Sequence, residues 1–147
     1  MSRLPLLNQV PLFAALTDSE LALVETLCTL KEAAPGEIIV RQNTTGSEMY
    51  ILASGAVEVY IEGLHDKVRR PLIVLGKGQV VGEMALIDAG YRSASVRATQ
   101  EGCVYYVIER DSFEALCRSH LRIGYIVMRN LAVDLAFKLR HRNLTEM

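Results

Sequence analysis

Between positions 36 and 109 the chain is a succession of short β-forming runs broken by glycine, and this pattern restricts the fold more than any other feature. "PGEIIVRQ" begins at a Pro-Gly turn signal. "EMYILAS" and "AVEVYIE" are β-branched and aromatic runs that meet at Ser54-Gly55, which predicts a hairpin there. "RPLIVL", "QVV", "SASVRA" and "CVYYVIE" follow, separated by glycine-containing turns. Val57, Val59 and Ile61 alternate with Glu58, Tyr60 and Glu62, the period of a strand buried on one face. Short strands at nearly even spacing predict a sandwich or closed barrel, because closure removes exposed edges.

Helical segments flank this block. Residues 1–30 read as helical: "LTDSELALVETLCTL" places Thr17 and Glu20 at capping-box spacing, and Leu21, Val24 and Leu27 or Cys28 recur on one face. After about residue 111, "ERDSFEALC" places Asp111 and Glu114 at cap spacing. A longer helix is then predicted from about Ser119 to Arg142, interrupted only by Gly124. Leu121, Tyr125, Met128, Ala132, Leu135 and Leu139 form a heptad-like seam, with Ile126, Val133 and Phe137 as a second apolar stripe. One face can cover the β block. The other meets a partner helix, or the whole stripe is buried within one domain, and the residues leave both readings standing. With no repeat, linker or low-complexity tract, one domain over residues 1–147 is expected: helices at about 1–30, β structure at about 36–109 and helices at about 111–143.

Composition removes several function classes. A net charge of −1 on 147 residues gives no field for nucleic acid or an acidic membrane surface. Cys28, Cys103 and Cys117 are scattered and form no C-x-x-C pair, so they read as small buried thiols rather than a zinc site or a disulfide framework. His65, His120 and His141 fall in different predicted elements, which argues against a metal centre. "LGKGQVVGE" is neither G-x-G-x-x-G nor a P-loop, and its glycines read as turn residues. No nucleophile-elbow sequence is present. The N-terminus lacks an apolar run of signal-peptide length, so a cytoplasmic location is expected.

"GEMALIDAGYRSASVRA", residues 82–98, remains. "MALI" can form one short helical turn whose first N–H groups lack internal partners. Arg92 can reach the same point and bind two oxygens of a phosphate with its planar fork. Glu83 repels a phosphate but accepts well from a sugar hydroxyl. The small residues Ala85, Ser93 and Ala94 allow close backbone approach. Such an arrangement suits a ligand with an anionic end and a hydroxyl end. A Glu83–Arg92 salt bridge at a barrel edge accounts equally well for the same spacing.

V-G-E-M-A-L at 81–86 and R-S-A-S-V-R-A at 92–98 resemble the phosphate-binding cassette of the cyclic-nucleotide-binding domain family, of the catabolite-activator, kinase-regulatory and channel types. The resemblance extends through "PGEIIVRQNTTGSEMYILASGAVEVY", back to "VPLFAALTDSEL" and forward to the closing helices. Val81 and Tyr91 stand where Phe and Pro are common, changes that look conservative in shape. The resemblance implies a mainly β fold: an eight-stranded, jelly-roll-like β-roll with an N-terminal helix and a C-terminal helical lid. It implies that Arg92 pairs with the cyclic phosphate and Glu83 with the ribose 2′-hydroxyl. Gly82, Met84, Ala85, Leu86, Ser93 and Ala94 would complete the cradle, and Arg129, Asn130, Val133 and Phe137 are candidates for covering the base. A hydroxyl at Ser93 is compatible with cyclic AMP and with cyclic GMP.

The expected function is therefore a non-enzymatic regulatory module without cofactor or metal. It binds cyclic AMP, with cyclic GMP open, closes its last helix over the ligand and acts on an effector domain or protein. No direct DNA binding by this chain is expected, and a homodimer through the C-terminal helix is one of the two readings of its apolar seam. The chain is expected to be either a fragment of a larger protein or a free-standing sensor. The alternatives are a ligand-free interaction or dimerisation module on the same fold, and a small-molecule enzyme on a similar barrel, against which the histidine distribution argues.

Overall fold

A computed structural model describes residues 4–63, 65–88 and 90–146, with side chains described for all of these except 4 and 142–146. The chain divides into two compact units, 27–113 and the pairing of 1–26 with 114–147.

The 27–113 unit is a six-stranded antiparallel sheet. Its strands are β1 (Thr29–Ala33), β2 (Ile38–Val40), β3 (Glu48–Glu62), β4 (Arg69–Gly76), β5 (Val80–Val81) and β6 (Ser95–Glu109). The main path runs β1-β6-β3-β4, with β2 added to β6 and β5 to β3. The core gathers Val40, Leu52, Val57, Val96, Ala98 and Val107 around Tyr50 and Tyr105, whose rings meet edge to face at 5.6 Å.

This corrects the expected eight-stranded β-roll. "EMYILAS" and "AVEVYIE" do not turn back on each other at Ser54-Gly55. They form one 15-residue strand, and so do "SASVRA" and "CVYYVIE". Two glycines meet here, one from each strand. Gly55 lies opposite Cys103, and Gly55 and Gly102 have φ of +72° and +70°. A β-carbon on Gly55 would overlap the Gly102 carbonyl oxygen. The left-handed conformation that a turn would use is here taken up within two long strands, with register shifts on either side of Ser54-Gly55. In the other direction, β1 begins at Thr29, inside the stretch read as helical.

The alternation along "AVEVYIE" also holds only in part. Val57 is buried as expected, but so is Tyr60. A register shift in the β3–β4 pairing follows Val59, where Val59 faces Ile73 and Tyr60 faces Pro71. The Arg69 and Arg97 guanidinium groups lie 5.1 and 5.2 Å from the Tyr60 ring centre, and Arg97 is held by Glu58 at 2.7 Å. Tyr60 is thus covered by cations rather than by an apolar face.

The helical unit contains α1 (Leu4–Leu7), a 3-10 turn (Pro11–Phe13), α2 (Asp18–Glu25) and α4 (Leu121–Glu146); α3 (Arg110–Ser119) begins in the sheet unit and ends in this one. The predicted capping box of α2 is formed: the Thr17 hydroxyl accepts from the Glu20 N–H, and the Glu20 carboxylate accepts from the Thr17 N–H at 2.9 Å. Glu20 also binds Arg122 of α4. Gly124 does not interrupt α4. It sits where a β-carbon would come within 3.0 Å of Cys117 Cβ, so it permits close packing of α4 on the end of α3. Ile123, Val127 and Leu131 are buried, whereas Leu121, Tyr125 and Leu139 of the heptad-like seam are exposed. Among the described residues, no helix is long and apolar enough to cross a membrane.

Candidate functional site

The cassette starts where β5 ends. Tyr50 pairs with Val81, which fixes the approach to Gly82. Gly82 adopts φ +78°, and the chain turns into a 3-10 helix over Glu83–Leu86. The Ala85 N–H donates to the Gly82 carbonyl at 3.0 Å, closing the turn. Ala85 and Leu86 are buried beneath it and anchor it to the sheet unit, while Met84 is exposed. The short turn predicted from "MALI" therefore exists, with Glu83 at its first position and half-buried.

Arg92 comes from the loop before β6. Its N–H donates to the Thr44 carbonyl at 2.7 Å, its carbonyl accepts from the Asn43 N–H at 2.8 Å, and Tyr91 bridges to Thr45. The backbone on both sides of the arginine is thereby fixed to the 43–45 loop. Its side chain runs back across Gly46, where a β-carbon would overlap the guanidinium. Nη2 donates to the main-chain carbonyl of Glu48 at 2.8 Å, and the group lies over the Tyr50 ring, 5.8 Å from its centre. A β-carbon on Gly82 would stand 2.7 Å from Arg92 Nη1 and 3.1 Å from the Glu48 carbonyl oxygen. The guanidinium is thus packed against the residue that opens the Glu83–Leu86 turn.

Below the guanidinium lies a second polar layer. The Tyr50 hydroxyl donates to Glu48 Oε1 at 3.2 Å. Burial first, and then the Glu48 charge, push the Tyr50 phenol up to about 12, so it stays a donor at neutral pH. Glu109 faces Glu48 across β3 and β6, and the Ser47 hydroxyl donates to Glu109 Oε2 at 3.4 Å.

Of the sequence-expected residues, Gly82, Glu83, Met84, Ala85, Leu86, Arg92, Ser93 and Ala94 all belong to the sheet unit. The packing of Arg92 on Gly82 joins the two halves of the cassette. Ser93 is exposed and Ala94 half-buried. Arg129, Asn130, Val133 and Phe137 lie along α4 in the helical unit. The Asn130 amide donates to the Leu12 and Ala14 carbonyls at 3.0 and 2.9 Å, a role in holding the 3-10 turn. Val133 and Phe137 are exposed, and Phe137 stacks on His141 at 3.8 Å. Sequence reasoning missed Gly46, Glu48, Tyr50 and Glu109. Glu48 contributes a carbonyl, which any residue type could supply, and Gly46 gave no signal beyond being a glycine before a strand. No group of three or more candidate metal ligands exists among the described residues.

Residues 30–120 match the cyclic nucleotide-binding domain family, and the chain belongs to it. It is 33% identical to the cyclic AMP receptor protein of Thermus thermophilus over 134 residues, covering 91% of this chain and 59% of that protein. It is 37% identical over 111 residues to the cAMP-dependent protein kinase regulatory subunit of Emericella nidulans, covering 75% of this chain and 26% of that protein. The crystal structure of the Thermus thermophilus catabolite activator protein superposes with a TM-score of 0.81 at 33% identity, covering 92% of this chain and 61% of that one. This chain therefore spans less than two thirds of the length of these relatives. The family is a ligand-binding one with a regulatory role, not a catalytic one.

Proposed function

We propose that this chain senses cyclic AMP, with Arg92 gripping the cyclic phosphate and Glu83 accepting from the ribose 2′-hydroxyl. Gly82, Met84, Ala85, Leu86, Ser93 and Ala94 line the cradle through their backbone and small side chains. The observation that carries this reading is the fixed presentation of Arg92 beside Gly82. Its backbone is tied to residues 43–45, and its guanidinium is oriented by the Glu48 carbonyl and the Tyr50 ring. One donor holds the carbonyl, and a guanidinium has five, so an oriented fork can still meet two phosphate oxygens. The names of two relatives, a cyclic AMP receptor protein and a cAMP-dependent kinase regulatory subunit, support cyclic AMP, while two others, named as cGMP-dependent protein kinases, keep cyclic GMP open.

Sensing requires two states with different affinities. In this reading α4 covers the base in the tighter state, and the exposed apolar surfaces of Val133 and Phe137 suit a purine face. Arg129 is a further candidate there, whereas Asn130 is engaged by the 3-10 turn. Moving the population from mostly open to mostly closed takes a preference of ~5 kcal/mol, which a phosphate pair together with sugar and base contacts can supply. The change then passes to an effector, in the same polypeptide or in a separate protein.

Calorimetric titration of the purified chain with cyclic AMP, cyclic GMP and 5′-AMP tests this. Saturable binding of cyclic AMP, tighter than that of either competitor, is expected. No heat and no thermal shift with any cyclic nucleotide would overturn the reading. One observation favours a second: Leu121, Tyr125 and Leu139 leave an apolar stripe exposed along α4, as a dimerisation helix would. A dimer in sedimentation that forms without nucleotide and does not respond to it would favour a ligand-free interaction module.

A further inference from the structure

We propose that Glu48 and Glu109, facing each other across β3 and β6, form a proton-dependent support for Arg92: the grip on an anionic ligand tightens when the pair holds a proton and weakens when both carboxyls ionise. This rests on the assignment of Arg92 to the ligand phosphate, and it adds a regulation that the assignment does not contain.

Glu48 touches Arg92 in two ways. Its carbonyl accepts from Nη2, and its carboxylate accepts from Tyr50, whose ring lies under the guanidinium. It is therefore a positioning residue for Arg92. Glu109 stands directly opposite it in the antiparallel ladder, where paired side chains are near neighbours. Two carboxyls hydrogen-bond to each other only if one carries the proton. That bond with Glu48, followed by burial and the Glu48 charge, holds Glu109 above the ordinary carboxylate range; the Ser47 hydroxyl opposes the shift and Asp111 adds to it.

From β3 and the residue before it the pair meets Tyr50 and Ser47, and from β6 Tyr105, a phenol held protonated by burial. Glu37, before β2, acts on Tyr105. At the start of α3, Arg110 lies 3.7 Å from Asp111, and its N–H holds the Ser47 carbonyl. Arg92 also faces the pair, its guanidinium lying over the Tyr50 ring.

The singly protonated pair carries one negative charge and the ionised pair two. Raising the pH through the Glu109 transition thus adds a negative charge beside the group that must hold an anion. A cyclic phosphodiester stays singly anionic throughout, so the dependence comes from the protein. Glu109 is exposed and Glu48 half-buried, so solvent and salt screening limit the effect to about two- to threefold in affinity.

The test is the dissociation constant of cyclic AMP from about pH 5 to about pH 8 for the parent, Glu109→Gln and Glu48→Gln. The parent is expected to weaken two- to threefold toward the upper end, and both variants to lose that slope. Any contribution of His65, His120 or His141 would survive in both. A slope unchanged in Glu109→Gln, or a flat parent, would overturn the proposal. Carbon NMR of the Glu48 and Glu109 carboxyls provides a readout independent of ligand. Two coupled steps in the parent, reduced to one in Glu109→Gln, support the pair. Two independent titrations at ordinary carboxylate values refute it, even if cyclic AMP does not bind and the parent assignment has failed on its own.

Discussion

Gly46 decides where Arg92 can lie. Its φ is not in the left-handed region, so its requirement is space rather than backbone freedom: the three nearest atoms that a β-carbon there would meet all belong to the Arg92 guanidinium, the end of a flexible side chain. Gly46→Ala should therefore leave the fold intact and push the arginine off the Glu48 carbonyl. The expected outcome is a melting temperature close to the parent's and an affinity for cyclic AMP lowered by about tenfold, or about 1.4 kcal/mol, read by melting and calorimetry on the same sample. An unchanged affinity would mean that the guanidinium reaches its ligand from another position. At this scale the cassette was legible through the resemblance of V-G-E-M-A-L and R-S-A-S-V-R-A to the family motif, since the residues alone left a ligand cradle and a Glu83–Arg92 salt bridge equally open. The support beneath was not. A carbonyl at Glu48 and an empty position at Gly46 have no side-chain signature, and Tyr50 reads as one more strand aromatic.

Among the elements, legibility follows the range of the interaction. The α2 capping box was readable because Thr17 and Glu20 sit three residues apart on one turn. The Glu20 carboxylate is held below its ordinary range by the Thr17 N–H first and Arg122 second. A group depressed in the folded state contributes stability above its unfolded value, and that contribution is lost as pH falls through the folded value. Melting curves from about pH 6 down to about pH 3 should show the parent's advantage over Glu20→Gln shrinking only below the ordinary carboxylate range. An advantage independent of pH would contradict this. The merging of four expected strands into two was not readable, because Gly55 acquires its meaning from Gly102, its neighbour across the sheet and distant in sequence. Gly55→Ala meets both a φ of +72° and the Gly102 carbonyl, which is backbone and cannot step aside. It should cost about 2 kcal/mol or more in denaturant unfolding. A loss below about 0.5 kcal/mol would mean that the two strands are not pinned there. Tyr60 follows the same logic: a register shift between β3 and β4 and two arginines from other strands bury it against the expected alternation.

For the whole molecule, the order of helix, sheet and helix was apparent from hydrophobic period alone, and the cassette placed the chain in its family. What period could not supply was the strand count, which depends on whether a glycine bends or reverses the chain, and the use of the α4 seam. Ile123, Val127 and Leu131 form the buried line instead, while Leu121, Tyr125 and Leu139 remain on the surface. Proteins as different as a cyclic AMP receptor protein and a kinase regulatory subunit match this chain, over 59% and 26% of their lengths. In the function proposed for this chain, one arginine–phosphate contact is converted into a change of state. That contact is tested most directly by calorimetric titration of cyclic AMP into Arg92→Ala, with circular dichroism and melting confirming that the variant is folded. Loss of the guanidinium leaves the phosphate without its partner and should weaken binding by about 2–5 kcal/mol, a factor of roughly 30 to several thousand. A folded Arg92→Ala protein that binds cyclic AMP as tightly as the parent would contradict the central claim.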